Sequence, residues 1–384
     1  MNRPRSAVSL LLLAGAVLSG CGSAARQASA PSAAPAPPSL ATAVDTAGGT
    51  WAVTVMGGPA AQHNNFWQLF ARPAGSASWR LVTPPGVASN GGLVVAPLAG
   101  RSLVAGFRPS QKLVFTPLAT TSDDGSAWSP GVLDAALADV PDALAADPGS
   151  GRLLALLADG TAQQSGPGGA SWTTLASRRA LAASAAGTRC GLQDLTAAAF
   201  GPSGTPLLAG SCAHPGTTGI FADADGAWRA AGPALPASVA GQPITVLRLT
   251  SMASGTTALL QAGTGPAASL LAAWSGRTGA PWALSPQLRL NGAAVTSASF
   301  GAGGAVAIVL AGSRGATITR AGNPWHALPP LPPGTATLAP GPGGGIDALA
   351  VHRTRLTIWQ LAPGGAAWAQ VQAINVRIQF GSSG

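Results

Sequence analysis

The side chains able to do chemistry in this chain are few and scattered. All twelve acids are Asp, with no Glu, and the chain contains no Tyr. Asp134, Asp139 and Asp142 lie close enough in sequence to approach one cation, but their spacing matches no calcium loop, and three solvated loop acids is the simpler reading. His63, His214, His326 and His352 stand far apart, without the His-x-His, His-Glu-x-x-His or Cys-x-x-Cys spacing of a metal site. No Gly-x-Ser-x-Gly elbow sits between a strand and a helix. Gly-rich strings such as residues 341–345 end apolar runs without opening a helix, so a phosphate loop is not indicated. The residues therefore mark no catalytic set, no metal and no cofactor.

The elements that must position these groups follow from composition. Of 384 residues, 52 are Gly and 33 are Pro, only 9% are charged, and 47% are apolar. A coiled coil needs Glu, Lys and Leu at heptad spacing, whereas Lys112 is the only Lys here. A disordered chain is low in hydrophobicity and high in net charge, which this one is not. All-β structure with many reversals is the expectation. Length does not decide the number of domains, because all-β architectures of this size occur as one.

The N-terminus reads as an export segment. Arg3 and Arg5 precede an apolar stretch from Ala7 to Leu18, broken by Ser9 and shorter than the ~20 residues that span a bilayer. It ends in Leu18-Ser19-Gly20-Cys21, which resembles the bacterial lipobox. That resemblance implies a signal peptide over residues 1–20, diacylglycerol on Cys21, and anchoring at the outer face of the cytoplasmic membrane; an ordinary secretory signal with an incidental Cys is the competing reading. Residues 21–39 are rich in Ala, Pro and Ser, as a disordered tether would be, and residues 40–384 form the folded domain. In an oxidising compartment Cys190 and Cys212 are expected to form a disulfide.

A repeat runs through the folded domain. Trp79, Trp128, Trp172, Trp228, Trp282, Trp325 and Trp368 recur at spacings of 43 to 56, and Gly stands three positions earlier at 125, 169, 279, 322 and 365. Before each Trp come apolar runs closed by Gly-rich turns, as in Leu195 to Phe200, Gly201 to Gly204, then Pro206 to Gly210. Four strands in about 45 to 50 residues is the period of a β-propeller blade. The expectation is a seven-bladed β-propeller of four-stranded antiparallel blades. The C-terminal run 376–384 reads as the strand that completes the first blade, with Leu40 to Asp45 as the competitor for that place.

The fullest repeat copy, with Thr121, Asp123, Gly125 and Trp128, resembles the Asp-box of sialidase-like propellers, departing at Ala127. The chain also resembles photosystem assembly-factor-like propellers, a group that shows what a non-enzymatic member of the fold can do. The resemblance implies a structural turn between the third and fourth strands, on the face away from the usual binding site. It does not imply sialidase activity, because that mechanism uses a Tyr nucleophile.

On the opposite face the blade alignment places Arg108, Arg178, Arg179, Arg353 and Arg355, whose planar guanidinium forks suit carboxylates and phosphates. They are the candidate anion-binding rim, against the plainer reading of coding bias and a soluble surface. Nucleic acid is not an expected partner, since basic and aromatic residues do not interleave. The expected product is a monomeric, membrane-anchored, non-catalytic binding or scaffolding propeller for a glycan, anionic or protein ligand. The alternative is a glycan-active hydrolase or lyase using Asp residues on the open face.

Overall fold

The computed structural model describes residues 41–57, 65–86, 91–108, 114–276, 281–312, 314–318 and 322–377. Their strands form antiparallel meanders that follow one another along the chain, over residues 42–81, 93–133, 144–177, 192–230, 244–289, 295–327 and 335–375. In the second, Leu93–Pro97, Leu103–Phe107, Thr116–Thr121 and Ser129–Leu133 pair in sequence order. Two short helices, Arg178–Ala183 and Ala185–Cys190, join the third meander to the fourth.

The apolar pattern dictates which strands lie inside. Leu103–Phe107 and Leu153–Leu156 are buried along their whole length, while Ser129–Leu133 is exposed except at Leu133. A strand covered on both faces reads as a continuous apolar run, and an outer strand does not. The buried side chains then pack between meanders. Trp51, Leu69 and Val82 of the first meet Leu103 and Phe107 of the second, and one cluster joins the second, third and fourth. Further clusters join fourth to fifth, fifth to sixth and sixth to seventh. Leu349 and Ile358 of the seventh pack on Ala52, Phe70 and Trp79 of the first, which closes the ring. Sheets packed face to face in a closed circle make this an all-β propeller.

The repeated Trp stitch neighbouring sheets. The indole N–H of Trp282 donates to the Ala231 carbonyl at 2.8 Å, Trp325 to Pro286 at 3.0 Å and Trp368 to Pro329 at 3.5 Å. In each case the acceptor follows the outermost strand of the preceding meander. Trp79 differs: it is 2% exposed and donates to Asp347 of the seventh meander at 2.8 Å. Trp128, Trp172 and Trp228 are partly buried against the clusters of their own regions.

The innermost place in the first meander belongs to Thr42–Thr46, which corrects the expectation of a C-terminal strand there. Its register runs from Thr42 opposite Val53 to Thr46 opposite Gly49, and Asn65–Pro73 covers the other edge of Gly49–Gly57. Both edges of that second strand are therefore taken. Residues 378–384 lie outside the described residues.

Candidate functional site

At the axial end where first strands turn into second strands, a basin of about 640 Å³ opens. It is walled by the turns at Thr46–Gly49, Met252–Ser254, Ala302 and Gly341–Gly345, and by Pro73–Ser76 between the third and fourth strands of the first meander. This is the face that carries the Thr121–Trp128 turn. This cavity thus opens on the face expected to lie away from the usual binding site.

Three charged groups line it. Arg72 donates from Nη1 to Asp347 Oδ2 at 2.6 Å and from Nη2 to Thr50 Oγ1 at 3.0 Å, and its guanidinium stacks 5.3 Å from the Trp79 ring. Asp347, 4% exposed, also accepts from Trp79 Nε1 and, at 3.4 Å, from Gln360 Nε2. Its carboxylate is fully engaged by groups of the protein. Asp45 is different: Oδ1 accepts from Thr50 Oγ1 at 2.7 Å, and its side chain also lines the basin. Burial pushes the Asp45 carboxyl above its ordinary value of 3.8, against the lowering effects of the Thr50 hydrogen bond and the Arg72 charge.

Deeper along the axis the ring is closed by a buried ion pair. Arg248, four residues before Met252 on Ile244–Met252, is 2% exposed and donates from Nε and Nη2 to both carboxylate oxygens of Asp142 at 2.7 Å. Its Nη1 reaches Thr42 Oγ1 at 2.9 Å and the Ala298 carbonyl at 2.6 Å. One side chain so ties together inner segments belonging to the first, third, fifth and sixth meanders. Asp142 further accepts the Leu249 N–H at 2.9 Å. This corrects the reading of Asp142 as a solvated loop acid. Asp139 remains exposed and pairs with Arg108 at 2.6 Å. Among the described residues no three His, Cys, Asp or Glu side chains gather as for a metal ion; His63 lies outside them.

The arginines proposed as a rim are not assembled into one site. Arg108 is 7% exposed, bound to the Ala138 carbonyl at 2.8 Å and to Asp139, and burial lowers its pKa against the raising effect of that carboxylate. It is an interior group and not part of a surface rim, because Gly92, without a side chain, leaves its guanidinium room to fold inward. Arg178 is exposed and holds the Gln193 carbonyl at 2.8 Å. Arg179, Arg353 and Arg355 are exposed, and the Arg353 carbonyl accepts the Gly57 N–H at 2.9 Å.

In the Thr121–Trp128 turn, Asp123 Oδ1 accepts the N–H groups of Ser126 and Ala127 at 3.0 and 2.9 Å and the Thr121 hydroxyl at 2.8 Å. Gly125 has φ +80°, and a Cβ there would lie 2.6 Å from Val82 Cβ of the first meander. Both its conformation and the close approach of the next sheet require Gly. Cys190 and Cys212 form a disulfide with Cα atoms 4.8 Å apart. Cys190 closes a helix instead of standing on a strand, while Cys212 ends Pro206–Cys212, opposite Leu192. Cys21 lies outside the described residues.

No protein-family model matches the sequence, and no curated protein does either. Solved structures match through the fold. A GH74 xyloglucanase from Xanthomonas campestris superposes with TM-score 0.53 at 15% identity, over 85% of this chain and 52% of its own, so this chain spans about half its length. A putative 6-phosphogluconolactonase from Bacteroides fragilis gives TM-score 0.53 at 10% identity, over 86% of this chain and 96% of its own. A protein from Lactobacillus plantarum gives 0.52 at 10% identity, over 85% and 97%. At these identities the likeness establishes the β-propeller fold and leaves chemistry to the residues.

Proposed function

We propose that this chain is an exported bacterial lipoprotein, held to the outer face of the cytoplasmic membrane by diacylglycerol on Cys21, whose seven-bladed propeller of the Asp-box type is a monomeric, non-catalytic binding module. The blade count draws on the succession of four-stranded meanders and the closed chain of interfaces between them. The ligand site is the axial basin.

The observation that carries this reading is the inequality of its two carboxylates. Asp347 is engaged by Arg72, Trp79 and Gln360, whereas the described contacts of Asp45 occupy only Oδ1. With Arg72 already offset by Asp347, the basin favours a ligand bearing hydroxyl or ammonium donors over an anion. Glycan hydroxyls or a protein segment meet that requirement. Retaining and inverting glycosidases both use two carboxyl groups, and here one of the two is committed to structure.

A glycan array and a peptide array, followed by affinity measurement on the hits, test the reading. Asp45→Asn should weaken binding at least tenfold, and unchanged affinity would remove the basin as the site. A second reading, hydrolysis with Asp45 as proton donor, draws on its raised pKa. Turnover of any glycan by the purified protein, lost in Asp45→Asn, would replace the first reading.

A further inference from the structure

The two faces of the ring differ in charge, and the chain enters on one of them. Thr46 lines the basin, so Thr42–Thr46 runs toward it and Ala41 lies at the opposite end of the axis, bridged to Ser297. Antiparallel alternation puts the turns between second and third strands at that same end, together with the connection leaving each fourth strand. Arg178 and Arg179 lie in such a connection, Arg314, Arg353 and Arg355 at second-to-third turns, and Arg377 just past the last strand. All six are exposed. Asp134, Asp159, Asp194 and the paired Asp139 do not balance them. On the basin face the relation reverses. Arg72, Arg101 and Arg152 are each paired with an Asp, and Asp45, Asp123, Asp223 and Asp225 outnumber Arg80, which holds only the Asp124 backbone carbonyl.

We infer that the arginine-bearing face is a docking surface for anionic lipid headgroups, so that the propeller rests on the membrane with its basin turned outward. This rests on the lipid-anchor reading, which supplies the geometry: the tether joins the ring at the axis of this face, and 20 residues from Cys21 to Ala41 hold it near the bilayer. Anionic lipid attracts each nearby Arg by ~1 kcal/mol, about fivefold in affinity, and the attraction falls within a Debye length. A short tether keeps the face inside that range far more of the time than free diffusion would.

The test uses the full chain carrying Cys21→Ser, which removes the acyl chain, in sedimentation with phosphatidylcholine vesicles with and without phosphatidylglycerol. Binding is expected to the anionic vesicles alone and to disappear at high salt. Substituting Arg178, Arg179, Arg353 and Arg355 together by Gln should weaken it several hundred-fold, about fivefold for each, while Arg80→Gln, at the basin-side start of Arg80–Leu81, should not. Circular dichroism checks that both variants fold. Equal sedimentation with neutral vesicles, no binding to anionic ones, or retained binding by the four-site variant would overturn the inference. The intact mass of the chain recovered from bacterial membranes tests the anchor separately: an unmodified Cys21 ends the anchor reading and leaves the vesicle result to judge the surface.

Discussion

Arg248 and Asp142, 106 residues apart in sequence, form a two-pronged ion pair at the axis of the ring, with both N to O distances 2.7 Å. The pair is buried, so each charge depends on the other and on Thr42, Ala298 and Leu249 to replace water. Removing one partner leaves an unpaired buried charge. Arg248→Met should therefore lower stability by about 3–5 kcal/mol, read as the urea midpoint. Adding Asp142→Leu should recover much of that loss. A single variant as stable as the parent would show that the pair carries little.

Trp79 and Asp347 make the equivalent connection where the ring closes. Trp79→Phe keeps an aromatic ring but deletes the N–H and part of the buried indole, so denaturation should show a loss of about 1–3 kcal/mol from the orphaned carboxylate, with the space left by the smaller ring adding to it. The same change at Trp368, whose bond is 3.5 Å long, should do less.

The Cys190–Cys212 bridge spans 22 residues and fastens the second helix to the fourth meander. Closing a loop of this size is worth about 3 kcal/mol through the unfolded chain. Reduction, or Cys190→Ala with Cys212→Ala, should lower the thermal midpoint accordingly. An unchanged midpoint after verified reduction would contradict this.

Acid titration should separate two carboxyls of opposite character. Burial raises Asp45 above 3.8 in the folded chain, so the folded state holds its proton more tightly. Its relative stabilisation is complete below 3.8 and is lost as pH rises through the raised value. Asp45→Asn should match the parent at low pH and exceed it in thermal midpoint above that range. Asp123 moves the other way: the Ala127 N–H first, then the Thr121 hydroxyl and the Ser126 N–H, outweigh desolvation and hold it below 3.8. Its contribution is present above 3.8 and fades as pH falls through the lower folded value. Asp123→Asn should flatten that part of the stability curve.

The repeat was legible because its determinants are local. A continuous apolar run, a Gly turn and a Trp after it each act within a few residues, and together they mark sheets and hairpins. The site was not legible, because its residues meet only after the ring closes: Arg72 with Asp347 across 275 positions, Arg248 with Asp142 across 106. One signal was available. Arg248 interrupts Ile244–Met252 and Asp347 interrupts Ile346–His352, each a lone charge in a strand otherwise apolar near it. A charge in such a run needs a buried partner, and that requirement points to an axis or a seam. The inward turn of Arg108 had no comparable signal, since it depends on the space left by Gly92.

Thr42–Thr46 gives the molecule an unusual mechanical layout. A pull on residue 41 does not load the rim, where an outermost strand could peel away alone. It loads the hub, through Val44 beside Phe300 and Thr42 beside Arg248. With the chain anchored as proposed, traction from the bilayer would be shared among several sheets at once and resisted in shear along a strand, the direction in which hydrogen-bonded ladders yield last.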